Sequence, residues 1–380
     1  MEPRKTGLRR LVLSDFRSYA ALDLGIAADM IVVTGENGSG KTNLLEAISM
    51  FAQGRGLRRA DLAACARQPG RGAFAVSLEL EGAGEGDRLQ FGTGLEVGMD
   101  GVAARRYRVE REPVASARAF AERLRLVWLT PSMDGLFTGS PGERRRFLDR
   151  LVLAVDAEHG TRVVGMERAM RQRNRILEEG PRADGAWLDA VEREVAELGV
   201  AVAAARMETI TRLGGLIERN DDDPFPWARA AIAGDIEALC LEMPSIEAED
   251  RYRSVLRGSR MQDAAAGRTL IGPHVADLLV RHGPKDIEAA LCSTGEQKAL
   301  LVGLVLAHAR LVEQLSGLAP VVLLDEIAAH LDARRRAALY EALDRLPGQV
   351  WMTGADASVF SELDARAQHF RVEPGRVVGT

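Results

Sequence analysis

An α/β fold is expected: a sheet carrying a glycine-rich loop, an antiparallel β subdomain beside it, and an inserted, mainly helical lobe containing a short coiled-coil-like hairpin. Three observations predict it. The run from Met30 to Phe51, MIVVTGENGSGKTNLLEAISMF, reads as strand, glycine loop and amphipathic helix. Alternating segments between Ala73 and Val109 are separated by turn residues. A second buried-type strand, Val321 to Leu324, ends in Asp325-Glu326 far beyond the glycine loop.

Taken in order, Leu8 to Ser14 reads as a first strand and Leu22 to Leu24 as a second, with Asp15-Phe16-Arg17-Ser18-Tyr19 between them. Ile31-Val32-Val33 is a β-branched strand core. Gly35-Glu36-Asn37-Gly38-Ser39-Gly40-Lys41-Thr42 then fits G-x-x-x-x-G-K-[ST] at every fixed position, with Asn43 following. Glycines let backbone N–H groups wrap a phosphate, a lysine reaches the outer phosphates and a threonine hydroxyl suits Mg2+, so Gly35 to Asn43 is a candidate nucleoside triphosphate site. Leu44, Leu45, Ile48 and Phe51 recur at helical spacing and bring the positive end of a helix to the anion. A chance glycine turn is the alternative, and the strand and helix on either side argue against it.

Gly54-Arg55-Gly56-Leu57-Arg58-Arg59 is a glycine-flanked basic loop. Segments at Ala73 to Leu80, Arg88 to Leu95 and Ala104 to Val109, with a turn at Gly82 to Gly86, predict the antiparallel subdomain. Its Arg105, Arg106, Arg108 and Arg111 alternate with other residues so that several should share a solvated face. Ser116 to Leu124 reads as a helix and Leu126 to Leu129 as a strand ending at Thr130-Pro131. Arg144-Arg145-Arg146 lie at the start of a helix, where cations oppose the dipole and call for a phosphate or carboxylate partner.

Val163, Met166, Met170 and Leu177 keep a three-four spacing that Arg173 interrupts, and Leu188, Val191, Val195, Leu198, Val202 and Ala205 form a clearer heptad. With Gly180 to Gly185 between them they predict a helical hairpin, either a projecting arm or a lobe packed on itself. Asn220 to Trp227 breaks the helices, Glu247 to Leu256 is a further helix, and Asp277 to Val280 a strand. Ser293-Thr294-Gly295-Glu296-Gln297 opens a long apolar helix; Ser293 and Glu296 have capping-box spacing, and a capped helix start is also an anion site. In a chain with a P-loop, Val321 to Glu326 is the Walker B pattern, Asp325 for Mg2+ and Glu326 to polarise the attacking water, with Glu326 and Lys41 as the catalytic candidates. A strand at Gly348 to Thr353 and a hairpin at Phe370 to Val378 follow. The expected division is 1–117 with 318–380 as the ATPase lobe, and 118–317 as the helical lobe holding the hairpin.

Length predicts at least two domain-sized units. Three isolated cysteines, Cys65, Cys240 and Cys292, suggest neither a disulfide framework nor a zinc site, and point to a reducing cytoplasm. The longest apolar runs, such as Ala299 to Ala307, look too short to cross a bilayer, and no membrane role is expected. A formal net charge of −5 means that any DNA contact must come from a local basic face, for which Arg55, Arg58, Arg59, Arg105 and Arg106 are the candidates.

Walker A at Gly35 to Thr42, a signature at Ser293 to Gln297, Walker B at Val321 to Glu326 and a D-loop at His330-Leu331-Asp332 resemble, in that order, the ABC-type ATPases of the SMC and recombination-repair group. Within the group the chain is most similar to the RecF family, through Phe16-Arg17-Ser18-Tyr19, Gly54 to Arg58, Arg144 to Asp149, Gln172-Arg173-Asn174 and Ile271-Gly272-Pro273-His274. The resemblance implies recombinational repair: binding DNA at gaps, where single and double strands join, and helping the RecO and RecR mediators load RecA. It further implies an ATP-dependent head-to-tail homodimer, with ATP held between one copy's P-loop and the other's Ser293, Gly295 and Gln297, and Arg17 near the nucleotide. No Q-loop glutamine stands near Trp128-Leu129-Thr130 and no histidine follows Val350 to Thr353, Asp356 being the nearest polar residue. Slow ATP hydrolysis is therefore the expectation, and the resemblance implies a weak, DNA-stimulated ATPase. The alternatives are the nucleotide-binding subunit of an ABC transporter, a small-molecule P-loop kinase, and a DNA clamp in which ATP is structural.

Overall fold

A computed structural model describes residues 7–81, 88–98, 101–182, 184–217, 225–328 and 331–379. The turn at Gly82 to Gly86, most of the break at Asn220 to Trp227, and His330 lie outside them. Alternation of apolar and polar residues makes β1 (Leu8–Phe16) and β2 (Tyr19–Gly25) a hairpin, and β3 (Met30–Thr34), buried throughout, leads through the glycine loop into α1 (Lys41–Ser49). β4 (Phe74–Glu81), β5 (Arg88–Val97), β6 (Ala103–Val109) and the short β7 (Glu112–Pro113) complete an antiparallel sheet of order β2-β1-β4-β5-β6-β7. Its inner face contributes Leu11, Leu13, Val76, Leu78 and Phe91 to a core shared with α1. The helix expected at Ser116 to Leu124 is a 3-10 turn, Ala117–Glu122.

β8 (Leu126–Leu129) pairs in parallel with a strand from the far end of the chain. The expected lobe boundary at residue 118 is thereby displaced: described residues before Gly135 and after Leu300 make one compact unit, and nearly all of those between make the other. The strand could not be assigned to its sheet from local sequence, because its partner lies almost two hundred residues away.

The second unit begins with α2 (Pro141–Val155), capped by a Ser140/Glu143 box, then α3 (His159–Glu178) and α4 (Gly185–Leu216). β9 (Ala228–Ala233), α5 (Asp235–Glu242) and α6 (Ser245–Ala266) follow, and β10 (Asp277–His282) with β11 (Ile287–Glu288) completes a small sheet of order β11-β10-β9. Of the two readings of the hairpin, the packed lobe is the one observed. Tyr252 and Leu256 of α6 are fully buried against Val191, Val195 and Val200 of α4. Arg173, which broke the apolar spacing, is itself fully buried: it meets Glu192 (3.0 Å), Asp263 (2.7 Å), Thr269 (2.9 Å) and the carbonyl of Leu256 (2.7 Å).

α7 (Thr294–Ser316) passes from the second unit into the first, which continues through β12 (Val321–Leu324), α8 (Ala333–Asp344), β13 (Val350–Gly354), β14 (Gln368–Glu373) and β15 (Arg376–Gly379). Contrary to the sequence expectation, α7 is long and apolar enough to cross a membrane, yet 67% of its most apolar window is buried inside the protein, as in a core helix. The second sheet of the first unit has the order β15-β14-β3-β13-β12-β8, parallel except for β15. Gln349 stitches the two sheets, its side chain accepting the N–H of Leu8 and donating to the carbonyls of Leu8 and Ala28, each at 3.0 Å.

Candidate functional site

The glycine loop closes with Gly40 in the left-handed region, at φ 116°. A side chain there would strike the Ser18 hydroxyl, so only glycine serves. The turn after β1 packs tightly on this spot, with Tyr19 donating to the Gly40 carbonyl (3.1 Å) and Asn43 to Ser18 (3.0 Å). Lys41 is buried; its Nζ donates to the carbonyls of Gly35 (2.8 Å) and Glu36 (3.0 Å) and stands 3.4 Å from Glu326 Oε1. Glu36, Asn37 and Gly38 are exposed. Ser39 Oγ is buried with no hydrogen-bond partner in a loop that leads into the first turn of α1, whose N–H groups lack helical partners. A buried hydroxyl left so is costly unless a ligand meets it, which fits a phosphate.

β13 separates β3 from β12, so the ends of all three lie side by side. Asp325 donates its N–H to Leu129 O (2.9 Å), and the Thr42 hydroxyl lies 2.9 and 3.1 Å from its two carboxylate oxygens. Two hard oxygen donors at one point suit Mg2+, which takes few protein ligands and fills its shell from water and phosphate. Among the described residues no group of three or more His, Cys, Asp or Glu could enclose a metal unaided. Glu326 follows at φ 50°, its carboxylate aimed at Lys41.

Arg17 faces α1. Its Nε and one terminal nitrogen bind both oxygens of Glu46 (2.8 and 2.6 Å), and the other donates to Ala64 O (2.7 Å). Glu46 is fully buried in α1 and also takes Arg58 (3.1 Å), whose same nitrogen donates to Asn43 (2.8 Å). Arg58, expected with the DNA-facing arginines, also braces the P-loop helix, and like Arg55 and Arg59 it is exposed.

The grouping of Arg105 with Arg106 is corrected by strand alternation. Arg105 points inward, donating to Met50 O (2.5 Å) and Gly54 O (2.9 Å) past the end of α1 with its guanidinium 4.9 Å from the Tyr107 ring centre; burial lowers its pKa. Arg106 and Arg108 point outward and share Glu96 at 3.3 and 3.1 Å. Rows Ala75–Gly94–Arg106 and Ser77–Gly92–Arg108 cross the sheet, so small residues floor a furrow of about 370 Å³ that Arg106, Arg108 and Arg111 border. Arg144 finds its carboxylate within the chain, binding Asp277 at 2.7 and 2.8 Å; Arg145 donates to Ala276 O (2.7 Å), and Arg146 is exposed.

In the second unit Ser293 is exposed and the capping box forms: Ser293 N–H and Oγ both donate to Glu296 Oε2, at 3.0 and 2.9 Å. Lys285 pairs with Glu296 and, with the Ser293 donors, holds its carboxyl down to about 2. Gly295 is half-buried; Gln297 is buried and spends its amide on the carbonyls of Cys292 (2.9 Å) and Ala290 (3.3 Å), so it braces the turn before the helix. Asp356 caps a 3-10 turn through Ser358 N–H (2.9 Å), and Asp332 caps α8 through Arg335 N–H (2.9 Å). Two site residues went unnoticed in the sequence: Glu46, a carboxylate on the apolar side of α1, and Thr353, the polar last-but-one residue of β13, which touches both Walker B carboxylate residues.

A P-loop strand, a Walker B strand one place removed and an antiparallel sheet on the same core define an ATPase head of the SMC class. The family model described as "RecF/RecN/SMC N terminal domain" matches residues 7–377. The SMC head domain of Pyrococcus furiosus superposes with a TM-score of 0.54 at 16% identity, over 99% of this chain and 96% of that one. Nearer relatives narrow the class. The "DNA replication and repair protein RecF" of Mesorhizobium japonicum is 52% identical over 376 residues, covering 99% of this chain and 98% of its own. That of Rhizobium meliloti is 53% identical over 378 residues, covering 99% and 100%. A solved structure of "the recombination mediator protein RecF-ATPrS in RecFOR pathway" has a TM-score of 0.86 at 18% identity, over 100% of both chains. The chain belongs to the RecF family.

Proposed function

We propose that this chain is an ATP-dependent DNA-binding protein of recombinational repair, acting in the cytoplasm with the RecO and RecR mediators to load RecA at gapped DNA. The observation that carries it is the convergence of Lys41, Thr42, Asp325 and Glu326 at the ends of the parallel strands of one sheet. Lys41 exchanges the Gly35 and Glu36 carbonyls for the outer phosphates of ATP, and Ser39 gains its missing partner. Mg2+, held by Thr42 and Asp325, would neutralise phosphate charge. Glu326, freed from Lys41, accepts a proton from the attacking water. Solved RecF structures with ATP and with ATPrS support the nucleotide.

The exposed Ser293 caps α7 for its own chain and is free to meet the nucleotide of a second copy, so one P-loop and one signature per chain give two composite sites in a symmetric dimer. ATP then favours the dimer by mass action. DNA lies on the outer face of the antiparallel sheet, with Arg106, Arg108 and Arg111 on its phosphates.

Light scattering with and without Mg-ATP tests the reading. Glu326→Gln should bind ATP, stop turnover and persist as a dimer; Ser293→Arg added to it should return the mass to that of one chain. An ATP-independent mass, or parental hydrolysis by Glu326→Gln, would refute the assignment.

A further inference from the structure

Thr353 stands on β13, between the strand that ends in the P-loop and the strand that ends in Asp325-Glu326; its Cα pairs with Val33 on one side, and its neighbour Met352 with Leu324 on the other. It is fully buried, and its hydroxyl is used twice. The proton goes to Asp325 Oδ1 at 2.7 Å, and the oxygen receives the N–H of Glu326 at 2.9 Å. Glu326 holds φ 50°, a left-handed conformation that a non-glycine residue keeps only where its surroundings impose it. The Thr353 hydroxyl is the group on its N–H. Asp325 in turn offers the oxygens that Thr42 shares, so one hydroxyl touches the ion-binding carboxylate and the backbone that aims its neighbour.

We infer that Thr353 is a positioning residue of the hydrolytic site, setting Asp325 for Mg2+ and Glu326 for water through a single hydroxyl. This rests on the nucleotide-site reading above. Thr353 touches neither phosphate nor water in that reading; it acts through its two neighbours, as groups behind ligating carboxylates do.

Thr353→Val keeps the β-branched shape that β13 packs and removes the hydroxyl; Thr353→Ser keeps the hydroxyl and removes a methyl. Binding of a fluorescent ATP analogue is measured in EDTA and across a Mg2+ titration, together with steady-state hydrolysis. The expected result for Thr353→Val is parental affinity in EDTA, a Mg2+ requirement raised roughly 10- to 100-fold, and kcat lowered by a similar factor with KM for ATP little changed. Thr353→Ser should restore both within a few-fold. A valine variant with parental Mg2+ dependence and kcat overturns the inference, as does a serine variant as impaired as valine, which would assign the effect to packing. Failure of the parental protein to bind the analogue at all would instead overturn the nucleotide site itself.

Discussion

Arg105 and Arg106 are neighbours in sequence and should behave as opposites. Arg106 is exposed and pairs with Glu96 at 3.3 Å, and replacing it with alanine should cost under about 1 kcal/mol of stability, as for other surface pairs. If it holds one DNA phosphate per copy, a dimer loses two contacts in Arg106→Ala, and the slope of log affinity against log salt flattens by about 1.8 at 0.9 per contact. Between 50 and 200 mM salt the parental protein should then lose roughly tenfold more affinity than the variant. Arg105 instead donates two hydrogen bonds to carbonyls beyond α1, one partly buried, and lies over Tyr107. Arg105→Ala should cost about 2 kcal/mol, the scale of charged hydrogen bonds lost from such a site, and keep the parental salt slope. Fluorescence anisotropy on gapped DNA with ATP at several salt concentrations reads the slope, and urea unfolding reads the stability. A parental slope for Arg106→Ala together with a flattened one for Arg105→Ala would refute the assignment of faces.

Two further outcomes concern the second unit. Arg173→Leu should destabilise it by roughly 3 kcal/mol, the low end for breaking a buried ion pair, because Glu192 keeps Arg260 and Asp263 keeps Ser259 and the Leu270 N–H; a change in urea midpoint worth under 1 kcal/mol would contradict this. Glu237 is buried with Oε2 unpartnered, and burial raises its pKa, so the folded state holds that proton more tightly than the unfolded. Its contribution is intact below the unfolded value and is lost as pH rises towards the folded one, so Glu237→Gln should gain thermal midpoint relative to the parent as pH rises from about 4.5. A difference that stays constant with pH would disprove it.

The nucleotide end of the fold was legible because its signals are local. Glycines must stand where backbone meets phosphate, and Val321 to Leu324 announces burial on both faces by having no polar residue. What stayed hidden depends on partners distant in sequence. Alternation led to the expectation that several arginines of β6 share one solvated face, but it did not show that Arg105 looks inward, since that follows from Tyr107 and the end of α1. Ala228–Ala233, ARAAIA, carries helix-favouring alanines yet is a strand, because β10 supplies its ladder. Arg173 looked like a defect in an apolar seam; three acceptor side chains from α4, α6 and the segment after it turn that position into a buried junction. Ser140 and Glu143, by contrast, carry a capping-box spacing that the local sequence displayed and that the reading of the basic helix passed over.

The place of β3 in its sheet carries a consequence for synthesis. The strand that ends in the P-loop has β13 and β14 as its two neighbours, and neither exists until some 350 residues have left the ribosome. At about 5–20 residues per second, the hydrophobic edges of Met30–Thr34 wait roughly 15–60 s for their ladders. The second unit, nearly continuous in sequence, can meanwhile assemble from neighbours made in succession. A nascent chain stalled before β13 would therefore present a finished helical lobe tethered to an unclosed nucleotide site, and the ability to grip ATP would be among the last properties the polypeptide acquires.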